Sequence, residues 1–312
     1  MSHDDQRTRV RGGPDLDAAQ IAGLPLRHPR STLRWVAATI VLLVVAIIVY
    51  TLVDNQNFQW SVVGHYFFDQ EILDGLVLTI ELTAAAMAIG IVGGILLALM
   101  RMSANPFVAW ASRTYIWFFR GTPVLVQLVF WYNLAALFPK LSIGIPFGGP
   151  VFASGSANTL ITPWVAALLG LGLNEAAYMS EIVRGGLTSV DEGQVEAARA
   201  LAMSFTQVTR KIVLPQAMRV IIPPTGNQVI GMLKLTSLVS VIALSDLLYS
   251  AQTIYGHNFE TIPLLVVVSI WYLMLTSVLS VGQMFLERRF SRGVLARSQR
   301  RVRTLNAEAA KA

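Results

Sequence analysis

The chain of 312 residues contains no cysteine, which removes disulfides, thiolate metal sites and a thiol nucleophile from consideration. Histidine is scarce as well: four in all, two of them (His3 and His28) near the amino terminus, so a histidine metal cluster is not expected. Charge is thin. Only 13% of residues are charged against 54% hydrophobic, a balance that a soluble domain does not combine. There is no glycine-rich phosphate loop followed by Lys and Ser or Thr, so ATP is not expected to bind this chain. Nor is there a Ser/His/Asp arrangement or an inferable pair of carboxylates in a polar cleft. The expectation is therefore no catalytic residues, no metal and no cofactor in this chain. The net charge of +6 does not point to nucleic acid, because the cations sit in the tails and in alternate loops.

What the chain does have is long apolar runs. Trp35–Val53 carries no charge and is about long enough to cross a ~30 Å hydrocarbon core as a helix. No small-residue cleavage site follows it, so it reads as a retained span rather than a signal peptide. Further runs give six expected spans in all: Trp35–Val53, Leu76–Met100, Gly121–Phe138, Ile161–Ser180, Val220–Leu244 and Pro263–Leu286. An amphipathic stretch, Phe107–Phe119, precedes the third and can lie along the interface. Arg7, Arg9, Arg11, Arg27, Arg30 and Arg34 precede the first span, and Arg101 and Arg113 follow the second. Arg184, Arg199, Arg210, Lys211 and Arg219 flank or fill the loop after the fourth, and Arg288, Arg289 and Arg292 follow the sixth. The remaining loops carry only Lys140, so both termini are expected in the cytoplasm. Gly144, Pro146, Gly148, Gly149 and Pro150 suggest an irregular, exposed external loop. Gly90, Gly94 and Ala98 recur four apart on the second span, which favours close helix packing within the subunit over a dimer contact.

The loop between the fourth and fifth spans is the most informative stretch. Glu196-Ala197-Ala198-Arg199-Ala200-Leu201-Ala202 leads on to Ile212-Val213-Leu214-Pro215. Two short helices are expected there. Ser189 or Asp191 can cap the first, and Ser204 with Gln207 forms a capping box for the second. Pro215 lacks an N–H and should end the second helix nearby. Ala197, Ala198 and Ala200 leave the first helix thin enough for a partner's groove.

This segment resembles the EAA loop of the ABC importer permeases, and other stretches are similar to their polar amino acid branch. These are Leu78-Thr79-Ile80-Glu81-Leu82-Thr83, Phe119-Arg120-Gly121-Thr122-Pro123 with Gln127, Ala176-Ala177-Tyr178 leading to Glu181-Ile182-Val183-Arg184-Gly185, Gly193-Gln194, and Thr236-Ser237-Leu238-Val239-Ser240. The resemblance covers about Leu73 to Leu286. It implies an all-α polytopic membrane protein, a five-helix permease core plus an extra amino-terminal helix, in the bacterial cytoplasmic membrane. It further implies a transport subunit and not an enzyme. ATP and Mg would sit on a partner ATPase, an extracytoplasmic binding protein would deliver an amino acid, and a second permease, identical or homologous, would complete the pathway. Glu196, Ala197, Ala198, Leu201, Ala202, Leu214 and Pro215 are the expected ATPase-coupling residues. The family usually has Gly where this chain has Ala202; Ala at positive φ costs roughly 1 kcal/mol or more. The expected layout is a tail at 1–33, a first helix at 34–53, an external loop at 54–75, a permease domain at 76–286 with its coupling loop at about 190–219, and a basic tail at 287–312.

A carrier of zwitterions needs polar groups near mid-membrane, where irregular helix frees backbone to bind. Pro223-Pro224 and Gly226 are expected to break the start of the fifth span, along which Asn227, Gln228, Lys234, Thr236 and Ser237 follow. Asn174 and Glu175 interrupt the fourth. These seven are the candidate substrate pathway. Lys234 either meets a substrate or pairs with Glu81, Glu175 or Glu181, or snorkels to an interface. Gln228 and Leu235 share one helical face, and neither is acidic as in relatives that import basic amino acids, which favours a neutral polar or acidic amino acid. The competing readings are an ion-coupled carrier or intramembrane enzyme working without an ATPase, and a scaffold. The first would more often show two repeats with matching broken helices. A scaffold leaves the ordered loop unexplained.

Overall fold

The computed structural model describes residues 32–145 and 149–309, with side chains placed for 34–145 and 149–290. Arg7, Arg9, Arg11, Arg27, Arg30, Pro146 and Gly148 lie outside the described residues. The chain divides into two compact units after Gln56. The first holds α1, Thr32–Asp54, a helix apolar on all sides. Its Thr39 and Thr51 hydroxyls donate to the carbonyls of Trp35 and Ile47, so they expose no unmet donor.

The second unit is built around α3 and α8. After a short helix, α2 (Trp60–Tyr66), α3 runs from Gln70 to Arg101. Asp69 caps it by accepting from Glu71 N. Next come α4 (Pro106–Gly121), α5 (Val124–Tyr132) and α6 (Leu134–Leu137), then strands β1 (Lys140–Gly144) and β2 (Val151–Ser156), then α7 (Ala157–Leu160) and α8 (Pro163–Thr188). Thr162 caps α8 and Pro163 opens it, where its missing N–H costs nothing. The polar segment that follows contains α9 (Glu192–Ala200) and α10 (Phe205–Val208), a π-helical turn at Thr209–Val213, and α11 (Leu214–Leu235). A 3-10 segment, Thr236–Ile242, leads to α12 (Leu247–Asn258) and α13 (Thr261–Ala309).

Among the described residues, three helices are long and apolar enough to cross a membrane: α1, α3, and α13 as far as Phe290. A fourth emerges if Phe205–Ile242 and Leu247–Asn258, bent by 44° at their junction, count as one span. At 26 residues α8 is about 39 Å long, enough by length alone, but it turns Asn174, Glu175 and Ser180 inward. Packing with glycine explains how tightly α3 and α8 approach. A side chain at Gly90 would run into Glu175, and one at Gly94 would meet Met179 and Ser180. The small-residue stripe therefore serves contact within the subunit. Outward, the bundle shows Val77, Val92, Leu96, Leu99, Leu273 and Val278, the inverse of a soluble surface.

Several expectations are corrected here. The third span is not one helix over Gly121–Phe138: α4 and α5 meet at Thr122-Pro123, and α5 has only nine residues. Nor is the amphipathic stretch separate from the bundle. Ser112 Oγ donates to Leu97 O at 2.8 Å and Tyr115 Oη to Leu173 O at 2.9 Å, so α4 climbs along α3 and α8. The external loop is exposed, as expected, but its base is ordered: Lys140–Gly144 pairs with Val151–Ser156 as an antiparallel hairpin, with an irregular register at Ile143/Gly144. The double proline does not break α11, which continues to Leu235. Gln283 Nε2, from α13, donates to Pro223 O at 2.7 Å in the space that Gly226 leaves open. The break comes later, at Ala243, whose φ is 56°. Finally, α13 does not stop at Leu286 but continues helical through the basic residues to Ala309.

Candidate functional site

The polar segment folds from its own local signals. Ser204 N donates to Gln207 Oε1 at 2.9 Å and Gln207 N to Ser204 Oγ at 3.4 Å, the expected capping box. Asp191 occupies the N-cap of α9 but makes no capping bond, and Ser189 instead ends α8, its hydroxyl donating to Gly186 O. Ala202 has φ 57°. Met203 N bonds Ala198 O and Ala202 N bonds Arg199 O, the paired bonds of a Schellman ending, for which glycine is the usual residue. The turn thus forms with alanine in the strained region. Pro215 does not stop the second helix. It lies in the first turn of α11, directly after the π turn, so α10 runs on into α11 without a loop.

Of the expected coupling residues, Ala198 is 4% exposed and faces this chain's own interior, so it is not free for a partner. Glu196, Ala197, Ala202, Leu214 and Pro215 are exposed. Leu201 is 78% exposed, and Phe205, which sequence reasoning missed, 81%. Two large apolar side chains thus stand out from a segment that is anchored behind. Val190 is buried in the main core, Val195 and Val213 pack on it, and Gln216 Nε2 donates to Gln194 Oε1 at 2.6 Å. An apolar knob on a fixed base is what a docking contact requires.

The seven candidate pathway residues separate. Glu175, 5% exposed on α8, accepts from Gln228 Nε2 of α11 at 3.1 Å. Asn174 points elsewhere, donating to Phe119 O at 2.7 Å and so fastening α4 to α8. Thr236 is fully buried and donates to Leu233 O; Ser237 donates to Lys234 O. Asn227 and Lys234 are exposed, together with Pro224 and Gly231. Their spacing of three and four residues sets these four on one face of α11. Lys234 takes part in no ion pair among the described residues, because Glu175 bonds Gln228 and Glu181 is otherwise engaged. Burying a carboxylate such as Glu175 in an apolar bundle is costly unless it has a partner or a task.

Two polar nodes differ from the sequence reading, which offered Glu181 only as a possible partner of Lys234 and gave Asp246 no role. Glu181 is joined to Arg101, to Arg184 at 2.9 Å and to Arg120 at 3.6 Å, and Arg120 lies 5.1 Å from the Tyr178 ring centre. The resemblance contained Glu181, Arg120 and Arg184, but only the fold shows that they converge. The second node is Asp246, fully buried, which caps α12 by accepting from Tyr249 N and Leu248 N, while Tyr272 Oη donates to it at 3.4 Å. Leu247 N donates to Thr79 Oγ1, joining α12 to α3. Asp before an apolar run was the readable signal for that cap.

The family described as binding-protein-dependent transport system inner membrane component matches residues 90–292. The arginine transport system permease protein ArgU of Corynebacterium glutamicum is 44% identical over 286 residues, covering 90% of this chain and 87% of that protein. The glutamate/aspartate import permease protein GltK of Escherichia coli is 33% identical, covering 70% and 92%. A crystal structure of an amino acid ABC transporter with histidines is similar at TM-score 0.60 and 34% identity, over 70% of this chain and 94% of that one. The inward-facing MetNI methionine ABC transporter, at 19% identity and TM-score 0.52, shares the fold. Members of this group work with an ATPase and a binding protein and do not themselves catalyse a reaction. This chain belongs to the binding-protein-dependent inner membrane transport components, as a multi-pass permease of the polar amino acid ABC importers.

Proposed function

We propose that this permease imports an amino acid with a cationic group, of the arginine type, and that Glu175 with Gln228 recognises that group. The sequence reading found no carboxylate at positions 228 and 235 and favoured a neutral polar or acidic substrate. The observation that carries the present reading is the bond between Gln228 and Glu175, since α8 thereby supplies a negative charge at the place where α11 lacks one. Gln228 is the sole hydrogen-bonding partner of that carboxylate among the described residues, leaving acceptor capacity for a guanidinium or ammonium. The arginine permease at 44% identity supports the same class.

The exposed face of α11 carrying Asn227, Gly231 and Lys234 is read as the pathway wall, completed by a second permease that is identical or homologous. Leu201 and Phe205 are read as the contact with the ATPase, which holds ATP and Mg. Because α10 continues into α11, movement of that contact would be carried directly to Gln228. Both termini are assigned to the cytoplasm from the loop cations, and α4–α5, α8 and α11 complete six crossings. Competition for uptake in cells tests the substrate class: arginine and lysine should inhibit strongly, glutamine and glutamate weakly. The opposite order would restore the neutral or acidic reading.

A further inference from the structure

Between α4 and α5 the chain breaks its helix at mid-membrane. α4 ends at Gly121, and α5 begins at Val124 behind Pro123. The depth follows from Asn174, near the middle of α8, which donates to Phe119 O at 2.7 Å. No side chain caps α5. Thr122, just before Pro123, donates its hydroxyl to Phe118 O instead. A helix offers no acceptor of its own to its first N–H groups. Among the described residues, nothing else accepts from the N–H of Val124, Leu125 or Val126. Gly121, Pro123 and Leu125 are exposed. Hydrocarbon would leave such donors unpaired, so a break of this kind belongs beside water or a bound polar group.

Gln127 supplies the independent sign of a ligand. It is 5% exposed, and its Nε2 reaches back over the junction to Phe119 O at 3.0 Å, Thr122 O at 3.1 Å and Thr122 Oγ1 at 2.7 Å. Its Oε1 is therefore held at the same corner, where it is buried and has no hydrogen-bond partner. No other buried side-chain nitrogen or oxygen among the described residues is left in that state. Turning the amide over would set its oxygen against three others, so the orientation is fixed. A buried acceptor normally has a donor, and this one lacks only an N–H. The corner thus presents backbone donors and an orphaned acceptor side by side. An α-amino acid carries the complement on one carbon: a carboxylate that accepts and an ammonium that donates. The start of a helix favours the carboxylate. So does the net positive charge of Glu181 with its three arginines, one of which, Arg120, directly precedes Gly121.

We propose that the α4–α5 junction holds the α-carboxylate of the transported amino acid on the N–H groups of Val124 and Leu125, and its α-ammonium on Gln127 Oε1. The inference deepens the function proposed above and rests on its placing of the substrate's side chain at Glu175. Asn174 ties the two places together, since it bonds Phe119 O and directly precedes Glu175 on α8. The junction takes what all amino acids share, and Glu175 takes what distinguishes a cationic one.

Equilibrium dialysis of the purified permease–ATPase complex, without the extracytoplasmic receptor, separates the two claims. The ligands are labelled arginine, agmatine (arginine without its carboxylate) and desamino-arginine (arginine without its α-ammonium). The wild type should bind agmatine about 30-fold and desamino-arginine about tenfold more weakly than arginine. Val124→Pro removes one donor at the first helical position, which proline suits and which the extended Pro123 already precedes. It should weaken arginine about tenfold and leave agmatine unchanged. Gln127→Met should abolish the difference between arginine and desamino-arginine alone. Glu175→Gln should weaken all three ligands alike. Co-purification of the ATPase checks that each variant is assembled. Equal binding of arginine and agmatine by the wild type, or an equal loss of both in Val124→Pro, would overturn the junction and leave Glu175 standing. Equal binding of arginine and desamino-arginine by the wild type would give Gln127 Oε1 to a buried water and overturn its assignment. Unchanged arginine affinity in Glu175→Gln would overturn the side-chain reading alone, and no arginine bound by the wild type would overturn both.

Discussion

The two ends of α11 were written in different ways. At its beginning, residues 190–219 form a segment whose shape follows from neighbours in sequence: the capping box of Ser204 and Gln207, the left-handed Ala202, and Pro215 in a first turn. At its middle, the polar residues look alike in sequence and have unlike roles, because each is decided by what another helix brings. Gln228 meets Glu175, whereas Asn227, one residue earlier, is exposed. Local signals fix backbone, and tertiary neighbours assign side chains their chemistry.

The most damaging change should be Glu175→Gln. It keeps the shape and the contact with Gly90 but removes the charge, and uptake of a cationic amino acid should fall about 100-fold, as expected for losing a charged partner in a site shielded from water. ATPase association should be retained, as a pull-down would read. At the other end of α11, Leu201→Asp with Phe205→Asp should reverse the pattern: normal insertion, but ATPase affinity weaker by about 30-fold or more, the scale of losing interface anchors. Unimpaired association in that double variant would remove the knob from the interface.

Gly94→Leu tests the shared scaffold. Its side chain must displace Met179 and the backbone at Ser180, so assembled protein should be destabilised by about 3 kcal/mol, read as a lower melting temperature in detergent. The smallest change is Ala202→Gly. It relieves a left-handed alanine and should stabilise the loop by about 1 kcal/mol, seen as slower amide exchange in α9 with uptake unchanged. Faster exchange would mean that the turn is not strained.

How much was legible follows from the same contrast. The apolar runs at α1, α3 and α13, the capping box and the cost at position 202 were readable because each depends on residues close by in sequence. Pro223-Pro224 misled: two prolines remove two donors, but α11 runs through them with Gln283 reaching the Pro223 carbonyl, a partner 60 residues away. Ala198 misled for a related reason. Small size suggests a partner's groove, yet the chain folds that alanine against itself and leaves Leu201 and Phe205 outside. The π turn that carries α10 into α11 has no sequence signature of the kind a cap has, so the continuity of the two ends emerged only from the fold.

The central claim is that a carboxylate buried beside Gln228 selects the transported amino acid. The most direct measurement is the initial rate of labelled arginine uptake by cells expressing the complete importer with wild-type or Glu175→Gln permease at equal membrane levels. The account predicts rapid uptake by the wild type, reduced about 100-fold in the variant while the ATPase still co-purifies. Equal arginine uptake by the two proteins would contradict it.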